Sequence, residues 1–237
     1  MKTIDPEQQH KIKVFYDTVY HQANSAPREP SRHVRRLAQQ LQIRPNQHVL
    51  DVACGTGEFL DACAAHGNSI AGVDISDTAV DECKVRLPQG EFHACPAEKL
   101  PFENARFDVV TCLGSLEHFL DPVSALREMV RVAKPGAQFL ILVPNKDFLT
   151  RKLGLYRGTY QVDALEVVRS LEEWDALFRG AGLAVRKRWK DTHVLSWSWI
   201  GAKGKAASPL RAAQAVALLF WPLRWQYQVY HLAEARN

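Results

Sequence analysis

Residues 49–58 read VLDVACGTGE and decide the fold. The run VLDVA is apolar except for Asp51, and its length is typical of a buried strand. Gly55 and Gly57 follow in a turn, where glycine permits backbone conformations that other residues avoid. The first N–H groups of the next helix then favour a carboxylate or a phosphate. This stretch therefore predicts a strand, a glycine turn and a helix, with a ligand at the turn.

Strands and helices alternate on both sides of this unit. Apolar periodicity predicts strands over 48–53, 69–74, 91–95, 107–113 and 137–144. Helices are predicted over 6–22, 31–42, 57–65, 76–87, 122–132 and 170–180. Two further strands, 184–189 and 193–203, are predicted to form an antiparallel pair. The pattern predicts an α/β fold, with a doubly wound, seven-stranded, mostly parallel sheet covered by helices on both faces.

The chain divides into three predicted regions. Residues 1–44 are expected to form cap helices, and residues 45–205 the α/β domain with a substrate-side insert at 146–170. Residues 206–237 are expected to form an amphipathic helical tail. Within this tail the run AAQAVALLFW is too short to span a membrane. Its tryptophans and arginines fit helices lying at a membrane surface, and packing on the domain or across a homodimer is the alternative.

Composition excludes several classes of protein. The chain has 237 residues, of which 46% are hydrophobic and 24% charged, as in soluble globular proteins. Its five cysteines are an odd number without a C-x-x-C pair, which argues against disulfides and zinc and favours a reducing compartment. The start, MKTIDPEQQHKIK, has no apolar core of a secretory signal. We expect a cytoplasmic protein. Peripheral contact of its tail with the inner membrane surface is an open alternative.

Three residues distinguish the glycine turn from a dinucleotide-binding loop. Leu60 stands where a dinucleotide fingerprint needs a third small residue, and Asp51 would repel a pyrophosphate. Asp74 ends the second predicted strand, where an acid can accept both hydroxyls of a ribose. These features fit an adenosine with a cationic arm and no diphosphate, and they disfavour a nicotinamide-dependent oxidoreductase.

Five segments carry a resemblance to a known family. They are VLDVACGTGEF, GVDIS, PAEKLPF, FDVVTCLGSLEHFLDP and LREMVRVAKPGAQFLILVPN. In this order and at this spacing the chain resembles the class I S-adenosylmethionine-dependent methyltransferases over about residues 45–203. The resemblance implies S-adenosylmethionine as the methyl donor and S-adenosylhomocysteine as the product.

The resemblance also implies which residues bind the cofactor. Around the methionine arm these are Asp51, Ala53, Gly55 and Gly57. The ribose, the adenine and the sulfonium side are assigned to Asp74, Ile75, Ala97, Glu98 and Leu113. Many relatives have an aspartate just before the Ala-Glu pair, where this chain has Pro96, so the adenine must be held by other groups.

His118 is the candidate catalytic residue, because it follows the fourth strand, where the acceptor should face the methyl group. A histidine that only packs there is the alternative. The string LEHFLDP resembles the ubiquinone-pathway O-methyltransferases. Some of these bind a divalent metal with an additional Glu, which stands three residues before the Glu of the Glu-His pair. Gly114 occupies that position here, and Glu117 with His118 supplies too few ligands, so no metal site is predicted.

The predicted substrate is a small molecule, methylated at an oxygen of an aromatic or hydrophobic acceptor. N- or C-methylation and a catalytically silent S-adenosylmethionine-binding module remain alternatives. No N/D-P-P-Y/F motif follows the fourth strand, which argues against DNA. The basic run 179–211 lacks an interleaved stacking set for RNA except Trp189, Trp197 and Trp199, which fit a strand core or a lid better. Candidate substrate contacts are Tyr16, Tyr20, Tyr156 and Tyr160. Phe15, Arg32 and His33 are further candidates at the cavity entrance, and helix packing is the alternative for each.

Overall fold

The computed structural model describes residues 6–20, 29–154, 166–193, 196, 200–201 and 208–236. Its strands are β1 (His48–Val52), β2 (Ser69–Asp74), β3 (Glu91–Ala94), β4 (Phe107–Leu113), β5 (Ala133–Pro144), β6 (Leu183–Lys190) and β7 (Gln228–Ala235). Its α-helices are α1 (Pro6–Phe15), α2 (Arg32–Gln40), α3 (Glu58–Ala64), α4 (Asp77–Arg86), α5 (Pro122–Val132), α6 (Leu149–Lys152), α7 (Leu171–Gly180) and α8 (Ser208–Phe220). A π-helix (Tyr16–Tyr20) continues α1, and 3-10 helices occupy Leu116–His118 and Leu223–Trp225.

The strands form one seven-stranded sheet in the order β3-β2-β1-β4-β5-β7-β6. Strands β1 to β5 pair in parallel, and β7 runs antiparallel to both of its neighbours. This confirms the predicted mostly parallel, doubly wound sheet. The strand order reverses between β1 and β4, and in such sheets the ligand binds beyond the carboxyl ends of the strands at that reversal.

Each face of the sheet has its own hydrophobic core. On one face, Met129 of α5 and Trp174 of α7 are fully buried. On the other face, Leu37 of α2, Leu60 of α3 and Cys83 of α4 are buried. Helices therefore cover both faces, as expected for parallel strands whose residues are apolar throughout.

Helix ends follow the capping residues in the sequence. The Ser76 hydroxyl accepts from the Ala79 N–H at 3.2 Å, and α4 begins directly after it. Ser170 and Glu173 form the predicted capping box at the start of α7. Pro122 stands in the first turn of α5, where its missing N–H costs no hydrogen bond. These local signals confirm the predicted helix starts.

Strand β7 corrects two predictions. The antiparallel partner of β6 is β7, with Trp189 opposite Tyr230, and not the predicted strand 193–203, whose described residues Ile200 and Gly201 are helical. The predicted helical tail over 206–237 is correct for α8 but wrong over β7. The physical reason is burial: Val229, Tyr230 and His231 are all buried, which suits a strand covered on both faces and not a surface helix.

Part of the basic run 179–211 is paired within the fold. Arg186 Nε lies 3.0 Å from a Glu234 carboxylate oxygen across the β6–β7 pair. Arg179 and Arg188 both meet the Asp175 carboxylate of α7. These ion pairs neutralise part of the basic charge within the fold. Trp197 and Trp199 lie outside the described residues.

The burial of His231 predicts a pH-dependent stability. Its ring is fully buried and packs edge-on against Phe178, and burial lowers its pKa from 6.5 to about 4. The unfolded chain therefore takes up this proton first as the pH falls below 6.5. We expect the His231 contribution to the free energy of unfolding to fall by about 2 kcal/mol between pH 7 and pH 5.

Urea unfolding at the two pH values measures this. The His231→Leu variant should lose that part of the pH dependence, whereas His66→Leu, at an exposed position, should keep it. An equal loss of stability in the wild type and in His231→Leu would contradict the assignment.

Candidate functional site

A cavity of about 470 Å³ lies at the carboxyl ends of β1, β2 and β4. The N-terminal helices cover it, with Ile12 of α1, Tyr16 of the π-helix and Leu37 of α2 in its wall. The Asp17 carboxylate of the π-helix accepts a hydrogen bond from the Ser76 hydroxyl at 2.6 Å. This bond attaches the N-terminal helices to the start of α4. The site is therefore built by the parallel strands from below and by N-terminal helices from above.

The glycine loop after β1 adopts left-handed backbone conformations. Ala53, Gly55 and Gly57 have φ angles of 59°, 50° and 78°. Such an angle is uncommon for a residue with a side chain, so the surrounding structure must impose it at Ala53. The Cys54 N–H donates to the Val73 carbonyl at 2.9 Å, which ties the loop to β2.

Asp74 joins the loops that follow β1 and β2. One carboxylate oxygen accepts from the Gly55 N–H at 2.9 Å, and the other accepts from the Ser76 N–H at 3.0 Å. The residue is 7% exposed and lines the cavity. Replacing Asp74 would thus disturb the glycine loop as well as any ligand that contacts it.

Asp51 is the most perturbed acid of the cavity. It is 3% exposed and accepts a hydrogen bond from the Thr111 hydroxyl at 2.6 Å. Burial raises its pKa to about 7, and the nearby Asp74 charge adds to this, while the Thr111 hydrogen bond opposes it. A cation placed in the cavity would stabilise the carboxylate and lower this pKa.

The cavity is lined by acids. Asp51, Glu58, Asp74 and Glu98 all contribute to the wall, and no lysine or arginine is found among its described lining residues. Glu98 is held in place because its carboxylate accepts from the Asp121 N–H at 3.2 Å, at the start of α5. The arrangement suits a positively charged ligand and disfavours a pyrophosphate.

The structure brings most of the predicted cofactor residues together. Those that line the cavity are Asp51, Ala53, Gly55, Asp74, Ile75, Ala97, Glu98 and Leu113. Gly57 does not line it: a Cβ built there would lie 3.0 Å from Cys83 Sγ and 3.2 Å from Leu87. Gly57 stands at the N-cap of α3 and allows α3 and α4 to approach, and its contact with a ligand stays a prediction.

The candidate catalytic residue and one predicted substrate contact also line the cavity. His118 belongs to the 3-10 helix after β4 and lies in the wall together with Gly114 and Ser115. Tyr16 lies in the wall as well. Tyr20 is described only as the last residue of the π-helix, and Tyr156 and Tyr160 lie outside the described residues.

Tyr230 is one of the cavity residues that the sequence analysis did not predict. It lies in β7, and the register across the sheet runs from Leu113 through Leu142 to Tyr230. The helical interpretation of the tail concealed it. The β-branched and aromatic residues of QVYHL were the available signal for a strand.

Glu117 is buried beside the cavity residue His118. It is 4% exposed, and its Oε2 has no hydrogen-bond partner among the described residues. Burial raises its pKa to about 7, and the charge of Glu166 adds to the effect. Within the described parts of the chain, no three His, Cys, Asp or Glu side chains are grouped so as to hold a metal ion.

Comparison with known proteins agrees with this geometry. Residues 50–141, from β1 into β5, match the family model of a methyltransferase domain. Over these residues the chain is similar to methyltransferase domains. The matched segment contains the glycine loop, Asp74, Glu98 and His118, and so most of the cavity wall.

Two curated relatives are both named ubiquinone biosynthesis O-methyltransferase. The protein from Coxiella burnetii is 32% identical over 119 residues, which is 48% of this chain and 50% of the relative. The protein from Pseudomonas paraeruginosa is 35% identical over 153 residues, which is 58% of this chain and 65% of the relative. The chain thus spans about half to two thirds of the length of these relatives.

A solved structure shows the fold over nearly the whole chain. It is the methyltransferase in complex with the Haloferax volcanii Trm112 methyltransferase activator, with a TM-score of 0.71 and 18% identity. The match covers 95% of this chain and 98% of that one. At this identity the likeness establishes the fold alone.

The raised pKa of Asp51 predicts that the folded protein is more stable without this charge. Folded Asp51 retains a proton up to about pH 7 that the unfolded chain loses near pH 3.8, so its penalty grows as the pH rises between these values. We expect Asp51→Asn to raise the free energy of unfolding by about 2–4 kcal/mol at pH 8, and by little at pH 4.

Urea unfolding of the ligand-free protein at the two pH values measures the difference. Asp81→Asn is the matched control, because the Asp81 side chain is 75% exposed and lies away from the cavity. A gain in stability that is the same at both pH values, or absent at pH 8, would contradict the assignment.

Proposed function

We propose that this protein is an S-adenosylmethionine-dependent methyltransferase that methylates an oxygen of a small aromatic or hydrophobic acceptor. The observation that carries the proposal is the acid-lined cavity at the ends of β1 and β2, inside a methyltransferase domain. S-Adenosylmethionine is an adenosine with a cationic amino-acid arm, and this charge complements the buried carboxylates Asp51 and Asp74.

The residues of the cavity fit this cofactor. Asp51 and the Gly55 loop would hold the cationic arm, and Asp74 would accept the ribose hydroxyls. Although Asp74 already accepts from two N–H groups, each carboxylate oxygen has a second lone pair for a hydroxyl. Ile75 and Ala97 offer apolar walls for the adenine. The bound cofactor supplies a methyl group that is already activated on a sulfonium.

The protein therefore has to orient the acceptor and exclude water. The described lining of the cavity also includes apolar residues, among them Val34, Leu37, Phe119 and Leu120. These residues suit an aromatic or hydrophobic acceptor, and we assign His118 as a polar group that contacts it. The names of the two relatives support an oxygen acceptor.

A calorimetric titration with S-adenosylmethionine, S-adenosylhomocysteine and NAD tests the donor half of the proposal. We expect micromolar binding of the two adenosyl ligands, no binding of NAD, and at least tenfold weaker binding of S-adenosylmethionine to Asp51→Asn. Asp81→Asn serves as the control for the variant. Binding of NAD alone would favour the oxidoreductase alternative.

His118→Ala tests the acceptor half. We expect the variant to retain its affinity for S-adenosylhomocysteine and to transfer methyl groups about 10- to 100-fold more slowly, because it loses an acceptor contact. Transfer of a labelled methyl group to a panel of phenols, amines and carbon acids measures the rate. His66→Ala, at an exposed position, should leave the rate unchanged.

Other outcomes of this assay favour the alternatives. A large loss of S-adenosylhomocysteine affinity would place His118 at the cofactor. Methylation of the amines or the carbon acids alone would favour N- or C-methylation. Cofactor binding without any transfer would favour the catalytically silent module.

We also propose a peripheral membrane contact through α8. Its Val216, Leu219 and Phe220 side chains are 53%, 40% and 81% exposed, which is unusual for large apolar residues on one short helix. No helix in the described part of the chain is long and apolar enough to cross a membrane. With α8 at the membrane surface, the protein could take up an apolar acceptor that is dissolved in the lipid.

Flotation with vesicles of anionic and zwitterionic lipid tests this contact. The double variant Leu219→Glu, Phe220→Glu should float at least fivefold less than the wild type, whereas Val85→Glu, exposed on α4, should float normally. Deleting residues 206–237 would not test the contact, since it removes β7 from the sheet. Equal flotation of wild type and double variant would contradict it, and loss of a dimer instead would favour a dimer interface.

A further inference from the structure

A polar cluster adjoins the cavity at Tyr230, a lining residue that lies in β7. His33 of α2 has its Nε2 3.0 Å from the Tyr230 hydroxyl and 3.3 Å from Asp191 Oδ1. His193 holds the other side of Asp191, with its Nδ1 3.3 Å from Oδ2 and its backbone N–H 2.9 Å from Oδ1. Residues distant in the sequence thus converge on one imidazole nitrogen.

Tyr230 connects this cluster with the cavity. It is 3% exposed, lines the cavity and stacks on Trp189 with ring centroids 5.5 Å apart and an angle of 18° between the planes. In the sheet it lies in the same row as Leu113, two strands away, which is about 10 Å. The hydroxyl is thus fixed on the β7 side of the cavity, away from Asp51 and Asp74.

Burial lowers the pKa of His33 below its ordinary value, so its imidazole is neutral at neutral pH. The charges around it act in both directions, because Asp191 and Glu58 raise this pKa whereas His193 and Arg36 lower it. Tyr230 shares a hydrogen bond with its Nε2. Burial also raises the pKa of Tyr230 far above its usual value, so the phenol keeps its proton. Although burial opposes it, the hydrogen bonds from His193 hold the pKa of Asp191 below its usual value. The cluster therefore contains a neutral imidazole, a neutral phenol and a carboxylate.

Such a cluster can hold one additional proton. When Nε2 is unprotonated, it accepts the proton of the Tyr230 hydroxyl at 3.0 Å. When Nε2 is protonated, the ring donates to the Asp191 carboxylate and to the Tyr230 oxygen. The imidazolium is then stabilised by the adjacent carboxylate, as in other histidine–carboxylate pairs.

We propose that Tyr230 binds the hydroxyl of the methyl acceptor and that His33 and Asp191 are the positioning residues behind it. The acceptor O–H bond breaks as its proton passes to the Tyr230 oxygen, while the Tyr230 proton passes to His33 Nε2. The acceptor keeps the electron pair as an oxyanion, and no group is oxidised or reduced. This inference rests on the proposed function, and it leaves to His118 the contact with the rest of the acceptor.

The probe 4-nitrophenol tests the proton transfer directly, because its phenolate absorbs visible light and its phenol form does not. The probe is titrated against pH with excess full-length protein, with and without S-adenosylhomocysteine. We expect the bound probe to ionise about one pH unit below the free probe in the wild type. Tyr230→Phe keeps the ring stacked on Trp189 and should abolish this shift and weaken probe binding about tenfold.

Further variants separate positioning from structure. His33→Gln can form a hydrogen bond but cannot take up the proton, so it should bind the probe and lose the shift. Tyr227→Phe is the matched control, because Tyr227 precedes β7 and is not among the described cavity residues, and it should retain both. Circular dichroism of each variant checks the fold, and His33→Gln carries the test if Tyr230→Phe does not fold.

The outcomes separate this inference from the proposed function. An unchanged ionisation shift in both Tyr230→Phe and His33→Gln, or a wild type that does not bind the probe, overturns the inference. A shift that depends on Tyr230 and His33 supports it. Failure of S-adenosylhomocysteine to bind, with that shift still present, overturns the proposed donor while the acceptor cluster stands.

Discussion

The parallel pairing of β1 with β2 is the constraint on which the site depends. Its register sets Asp51 opposite Gly72 and so brings Asp51 and Asp74 to the same end of adjacent strands. Two acids buried side by side need compensation, because burial and mutual repulsion both disfavour their charges. Asp74 obtains it from the N–H groups of Gly55 and Ser76, and Asp51 obtains it from Thr111 and by retaining a proton. The left-handed loop follows, since Gly55 must turn its N–H toward Asp74.

The cavity is therefore incomplete in an electrostatic sense. The described wall contains several carboxylates and no lysine or arginine, so a cationic ligand supplies the missing charge. Part of the affinity for such a ligand would come from relieving the burial of Asp51, and not from new contacts alone. At the β7 strand of the cavity, Tyr230 and His33 instead form a hydrogen-bonded pair that can exchange a proton. The sheet thus separates a region suited to a cation from a region suited to a hydroxyl.

Local signals predicted most of the fold, and long-range pairing accounts for the errors. The alternation of apolar runs and the caps at Ser76 and Ser170 act within a few residues, so the sequence carries them directly. Strand β7 has eight residues, and the aromatic and basic residues that precede it also fit a surface helix. Only its burial between β5 and β6 distinguishes the two. In the site, the acids were predictable from strand ends, whereas the packing role of Gly57 was not, because it depends on how closely α4 approaches.

The position of β7 has a consequence for how the chain is made. Strand β7 is synthesised after both β5 and β6, yet it lies between them. On the ribosome, the β5 edge of the parallel sheet remains open, and β6 has no partner, until residues 228–235 have emerged. Open strand edges attract other chains, so this interval is the time when the nascent protein is most prone to aggregate. Because Tyr230 arrives with the same strand, the acceptor side of the cavity is completed last.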